Sequence, residues 1–141
     1  MSTTITSVAA TAPSRRGVRL GSLIKAGAIG GVLGAVATMA IAAIARAADV
    51  SLAIDGEAIP IAGFATMTLV GAVLGVVLAA VLRQRRRFVA VCAVLTAASV
   101  IPSITQPDDT ATKVVLVISH LVAAAVIVPL LARRLPVASG N

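Results

Sequence analysis

Tryptophan and tyrosine are absent from this 141-residue chain, and phenylalanine occurs only at Phe64 and Phe88. With so few rings, stacking on nucleic-acid bases is excluded as a main mode of recognition, despite a net charge of +7. The Trp/Tyr belt that marks many membrane interfaces is missing too, which leaves arginine to anchor the ends of any span. Cys92 is the single cysteine, so no internal disulfide forms. Only 12% of residues are charged, against roughly 25% in soluble domains. Acidic residues number five and histidine one. What is abundant is apolar side chain, at 59% of residues with a mean hydropathy of +1.07. Water is the wrong solvent for such a chain.

Apolar runs define four spans, at about residues 23–45, 62–82, 88–104 and 114–132. At 1.5 Å rise per residue each crosses, or nearly crosses, a ~30 Å hydrocarbon layer. No water there satisfies the backbone, so each span is expected to be a helix. The fold class expected is an all-α integral membrane four-helix bundle, one domain over residues 20–135. Residues 1–19 read as a disordered cytoplasmic tail and 136–141 as a short one. The third span is the shortest, and Pro102 lies in its last turn.

Charge supplies a direction. Arg15, Arg16, Arg19 and Lys25 precede or open span 1; Arg83, Arg85, Arg86 and Arg87 fill the turn between spans 2 and 3; Arg133 and Arg134 follow span 4. The five acidic residues, Asp49, Asp55, Glu57, Asp108 and Asp109, occupy the other two loops, beside Arg46 and Lys113. Ten of the 12 basic residues thus share one side, which the positive-inside rule makes cytoplasmic. Both termini are expected inside, in a plasma (inner) membrane. Ser14-Arg15-Arg16 and Ala45-Arg46-Ala47 faintly imitate a secretory signal and its cleavage site. The apolar stretch between them, about 23 residues, overruns a signal core of roughly 7–15.

In the first outer loop, Val50, Leu52 and Ile54 alternate with smaller or polar residues before Asp55-Gly56, a hairpin-turn dipeptide. A short β-hairpin is expected there, with Glu57–Ile61 as its return strand and Pro60 confining that strand to an edge or ending it.

Within lipid, helices meet by close approach and hydrogen bonding. Span 1 aligns Gly27, Gly31, Gly34 and Thr38 on one face, and span 2 aligns Thr68, Gly71, Gly75 and Ala79. Each span has a small-xxx-small element, Gly30–Gly34 and Gly71–Gly75. Packing of spans 1 and 2 within one monomer is the preferred reading, and a dimer interface is the alternative. Span 3 presents Cys92, Thr96, Ser99 and Ser103 as a weakly polar stripe. Pro102 and Pro129 free the carbonyls of Ala98 and Ala125, which these hydroxyls are placed to serve.

His120 is the one ionisable side chain well inside a span, and such a residue is a functional candidate by default. Counting inward from the span ends puts Ser99, Thr38, Thr66 and Thr68 at its depth. Together they form a candidate polar layer. As structure, the layer bonds neutral His120 to Ser99 or to a freed carbonyl; as function, it is a proton-linked or ligand-binding site. The structural reading is preferred, since a proton-coupled transporter usually carries a carboxylate in the membrane and these spans carry none. That absence separates the chain from small multidrug exporters, which resemble it in size and span count but depend on a membrane glutamate.

Enzymatic readings find little support. There is no second histidine, no metal-ligand cluster and no phosphate loop, and no cofactor is expected. Ser119 and His120 are adjacent, so on one helix they point about 100° apart and cannot pair as nucleophile and base. Arg83, Arg85, Arg86 and Arg87 are candidate contacts for anionic lipid, although a topology anchor explains them as well. Expected partners are the lipid bilayer and a homo-oligomer or another membrane protein; nucleic acid is not among them.

The acidic first outer loop leading into Ile59-Pro60-Ile61-Ala62-Gly63-Phe64, and Thr112–Leu121 ending in His120-Leu121, resemble a family of small bacterial four-helix membrane proteins classed as a domain of unknown function. The resemblance covers about residues 20–135. It implies the topology and carries no activity.

Overall fold

The computed structural model describes residues 18–137. The tails assigned to residues 1–17 and 138–141 lie outside the described residues. In chain order the elements are α1 (Leu20–Ala47), β1 (Ala53–Ile54), β2 (Glu57–Ala58), α2 (Ile61–Leu82), α3 (Arg85–Thr105) and α4 (Thr110–Ala132). All four helices are long and apolar enough to cross a membrane. They overrun the apolar runs by a few residues, because helical hydrogen bonding continues past the point where hydropathy falls. Helix α1, with 28 residues, extends about 42 Å at 1.5 Å per residue.

Helix α1 packs chiefly on α2 and α4, while α3 packs chiefly on α4. Glycine makes the first contacts possible. A Cβ built on Gly31 would stand 3.0 Å from the Ala72 methyl, and one on Gly34 3.0 Å from Thr68 Cγ2. At Gly27 it would overlap Val76 Cγ2, a stiff β-branched neighbour. Gly30 turns toward α4, where a Cβ would meet the Ile127 backbone at 3.4 Å. The small face expected on α1 is therefore buried along its whole length.

On α2 the expected face needs correction. Thr68, Gly75 and Ala79 are buried, but Gly71 is exposed and nothing lies within 4 Å of a Cβ placed there. Ala72 takes its place. Its methyl already fits against Gly31, so the interface needs no second glycine, and Gly71 turns one residue further around the helix.

At one end of the bundle the loops form a cap. Strands β1 and β2 pair antiparallel, Ala53 with Ala58 and Ile54 with Glu57. The turn residues Asp55 and Gly56 have φ of 52° and 78°, the signs of a type I′ hairpin turn. The return strand stops at Ala58, and Pro60 instead becomes the N-cap of α2. The Asp108 carboxylate accepts from Asp55 N at 3.1 Å and Gly56 N at 2.9 Å, lashing the turn to the α3–α4 loop. Arg46 Nη2 donates to the Ile59 carbonyl at 2.7 Å. Beneath the cap, Leu52 and Phe64 pack with Ala42 and Ala45 in a small core of their own. The opposite end is closed by Phe88, Leu23, Leu131 and Leu135, and Arg85 N donates to the Pro136 carbonyl at 3.1 Å.

Asp109 starts α4. Its carboxylate accepts from Ser51 Oγ, from Thr112 Oγ1 at 2.7 Å and from Thr112 N at 2.8 Å. These donors favour the charged form, Ser51 most, and hold the carboxyl at about 2 against an ordinary 3.8. A lowered folded pKa means that the charge stabilises the cap fully above the unfolded value, and that this contribution fades as pH falls through 3.8 toward 2. The protection of the hairpin amides, measured against the intrinsic exchange rate at each pH, should accordingly fall between pH 5 and pH 2.5. The Asp109→Asn variant, whose amide oxygen still caps the helix, should lose most of that pH dependence. An unchanged pH profile in the variant would show that another group governs the cap.

Candidate functional site

The polar side chains of the spans fall into two separate sets. Between α1 and α2, Thr38 Oγ1 and Thr68 Oγ1 lie 3.0 Å apart, both residues buried. Thr68 donates to the Phe64 carbonyl at 2.7 Å, which leaves its oxygen free to accept from Thr38. The pair joins the two helices at the point where Gly34 lets them approach.

Between α3 and α4, His120 Nδ1 lies 3.1 Å from the Leu116 carbonyl and 3.4 Å from Ser103 Oγ. A carbonyl can only accept, so this contact puts a ring proton on Nδ1. Ser103 in turn donates to the Ser99 carbonyl at 3.0 Å. The chain of hydrogen bonds ends on backbone. No hydrogen bond among the described residues engages Nε2, and His120 as a whole is exposed on the flank of the bundle.

The single layer drawn from depth is thus divided. Ser99 does not bond His120; its hydroxyl donates to the Thr96 carbonyl at 2.7 Å. The imidazole reaches one turn further along α3, to Ser103, because helical side chains lean toward their own N-terminus. Thr66 is exposed on α2 and donates to its own Ala62 carbonyl at 3.1 Å. None of the hydroxyl bonds among the described residues ends on the carbonyls of Ala98 or Ala125. The stripe of Cys92, Thr96, Ser99 and Ser103 does turn inward, with Cys92 and Ser103 buried and the other two half-buried.

Ser119 was missed as an interior group. It is 5% exposed, and its Oγ has no hydrogen-bond partner. The register that sets Gly30 against Ile127 brings Ser119 level with Thr38, eight residues nearer the hairpin end on both helices. His120 lies on a different face, so the two neighbours do not act as a pair. Among the described residues, no three His, Cys, Asp or Glu side chains gather as a metal site would require.

Six arginines, Arg83, Arg85, Arg86, Arg87, Arg133 and Arg134, cluster at the end opposite the hairpin. Arg83 caps α2 with φ of 49° and its Nε donates back to the Ala80 carbonyl at 3.1 Å. Arg85, Arg86 and Arg87 open α3 and are exposed, as are Arg133 and Arg134 after α4.

A protein-family model described as a family of unknown function, DUF6069, matches residues 18–137. No curated protein and no solved structure matches the chain.

Proposed function

The chain belongs to the DUF6069 family of unknown function, and from that membership and its four apolar helices we propose a non-enzymatic structural or accessory component of a bacterial plasma membrane. In this reading both termini are cytoplasmic. The bilayer is its first partner, and an associated membrane protein or a second copy is its second. The observation that carries the reading is how the intramembrane polar groups spend their hydrogen bonds. Thr38 and Thr68 close on each other and on Phe64, and His120 and Ser103 close on Leu116 and Ser99. Both sets join helices, and both end on backbone carbonyls. The arginine end and the acidic end support the orientation, through ten basic residues out of 12 on one side.

A second reading, a small transporter or ligand-binding protein, is favoured by one feature, the exposed His120 with Nε2 open to a partner. Substitution at His120 separates the two. Glutamine keeps a neutral donor for the Leu116 carbonyl, so His120→Gln should retain stability and cellular function under the structural reading. His120→Leu removes a bond worth about 0.6 kcal/mol on average in membranes, a small loss in detergent melting. Equal loss of function in both variants, with melting unchanged, would establish the transporter reading instead.

A further inference from the structure

We propose that the groove between α3 and α4 seats one acyl chain of an anionic phospholipid, with its phosphate on Arg85, Arg86 and Arg133. The groove has a volume of about 420 Å³ and opens sideways from the bundle. Val89, Ala93, Ala97 and Val100 line it on α3, and Ala125 and Pro129 on α4. Alanine at the middle positions leaves the space, since longer side chains there would fill it. From Val89 to Val100 the helix rises about 16 Å, close to half of a ~30 Å hydrocarbon layer. That is the depth of one leaflet, which a single acyl chain covers.

The polar end of the groove is fixed by helical spacing. Arg85 and Arg86 stand four and three residues before Val89, and Arg133 stands four after Pro129. Residues three and four apart share a helix face, so all three arginines continue the groove's own lining at its mouth. The Arg85 N bond to the Pro136 carbonyl holds the two helix ends together there. Every acidic side chain of the sequence lies in the two loops of the opposite end. Among the described residues the mouth therefore has cations and no acidic side chain to meet them, and a phosphodiester supplies the missing charge. A second copy of the chain fits less well. Two copies packed through this face side by side would bring like-charged clusters together, which disfavours association. Arg83, folded back on Ala80, and Arg87 are not part of the site.

The inference rests on the membrane reading above, and its test distinguishes the two. The full chain, purified in a neutral detergent, is titrated with dioleoylphosphatidylglycerol, with phosphatidylcholine of the same chains and with glycerol 3-phosphate, and bound lipid is read by native mass spectrometry. The glycerol lipid should bind and survive dissociation of detergent, the choline lipid should bind at least tenfold more weakly, and the headgroup alone should not be retained. Each of Arg85→Gln, Arg86→Gln and Arg133→Gln should weaken the anionic lipid about fivefold, and Arg83→Gln should leave it unchanged. Ala93→Leu with Ala97→Leu fills the groove and should weaken it too. If those two fail to fold, the arginine variants, which lie at the helix ends and are exposed, decide. Equal affinity for both lipids, an unaltered triple arginine variant, or a lipid-free dimer that cross-links through Ala97→Cys would overturn the site. A chain that binds neither lipid and does not enter liposomes would overturn the membrane reading as well.

Discussion

Gly34→Leu should destabilise the folded bundle by about 3 kcal/mol or more, while Gly71→Leu changes it by no more than about 0.5 kcal/mol. The first value follows from contact. A Cβ at Gly34 already stands 3.0 Å from Thr68 Cγ2 and 3.6 Å from Ile127 Cδ1, and leucine adds three further carbons. Helices α1 and α2 must separate, and the Thr38–Thr68 bond at 3.0 Å is broken with them. Gly27→Leu should be at least as damaging, because the clash with Val76 begins at Cβ and a β-branched side chain has little room to turn. Gly71 faces away from the bundle, so leucine there meets lipid or detergent. With no tryptophan in the chain, circular dichroism at the helix bands during heating in detergent is the suitable measurement. Similar melting of the Gly34 and Gly71 variants would mean that α1 and α2 do not meet through this face.

The glycine pair shows how far sequence reaches here. Spans are legible because a bilayer leaves the backbone no option other than internal hydrogen bonding, so hydropathy alone locates four helices. The glycine face of α1 was legible for a related reason, since only small residues permit close approach in lipid. On α2 two small residues, Gly71 and Ala72, are neighbours, and spacing alone does not choose between them. The choice depends on what α1 presents, and Gly31 accepts the alanine methyl.

The hairpin turn was legible in Asp55-Gly56, whose positive φ values few other dipeptides adopt at low cost. Its fastening was not. Asp108 reaches Asp55 N and Gly56 N across more than 50 positions of sequence, and no local pattern announces such a bond. The polar layer around His120 shows a third kind of limit. Depth follows from counting residues, but azimuth around the helix does not. Counting sets Thr38, Thr66, Thr68 and Ser99 in one layer with His120 without saying which way each one turns. The same gap hid Ser119, whose burial follows only from the pairing of α1 with α4.

Cysteine accessibility in intact cells reports whether four spans cross the membrane with the arginine end inside. In a Cys92→Ala background, single cysteines are placed at Gln84, in the arginine turn, and at Asp55, at the tip of the hairpin. Both positions lie outside the helical spans, so each is open to reagent on whichever side it occupies. Charge puts a large barrier between the two outcomes. Translocating the turn would carry Arg83, Arg85, Arg86 and Arg87 across the hydrocarbon layer, at roughly 2.5–3.5 kcal/mol for each arginine at its centre on insertion scales. An impermeant thiol reagent applied to intact cells should therefore label the Asp55→Cys protein and leave the Gln84→Cys protein unlabelled until the membrane is permeabilised. Labelling at Gln84 and not at Asp55 in intact cells would contradict the account.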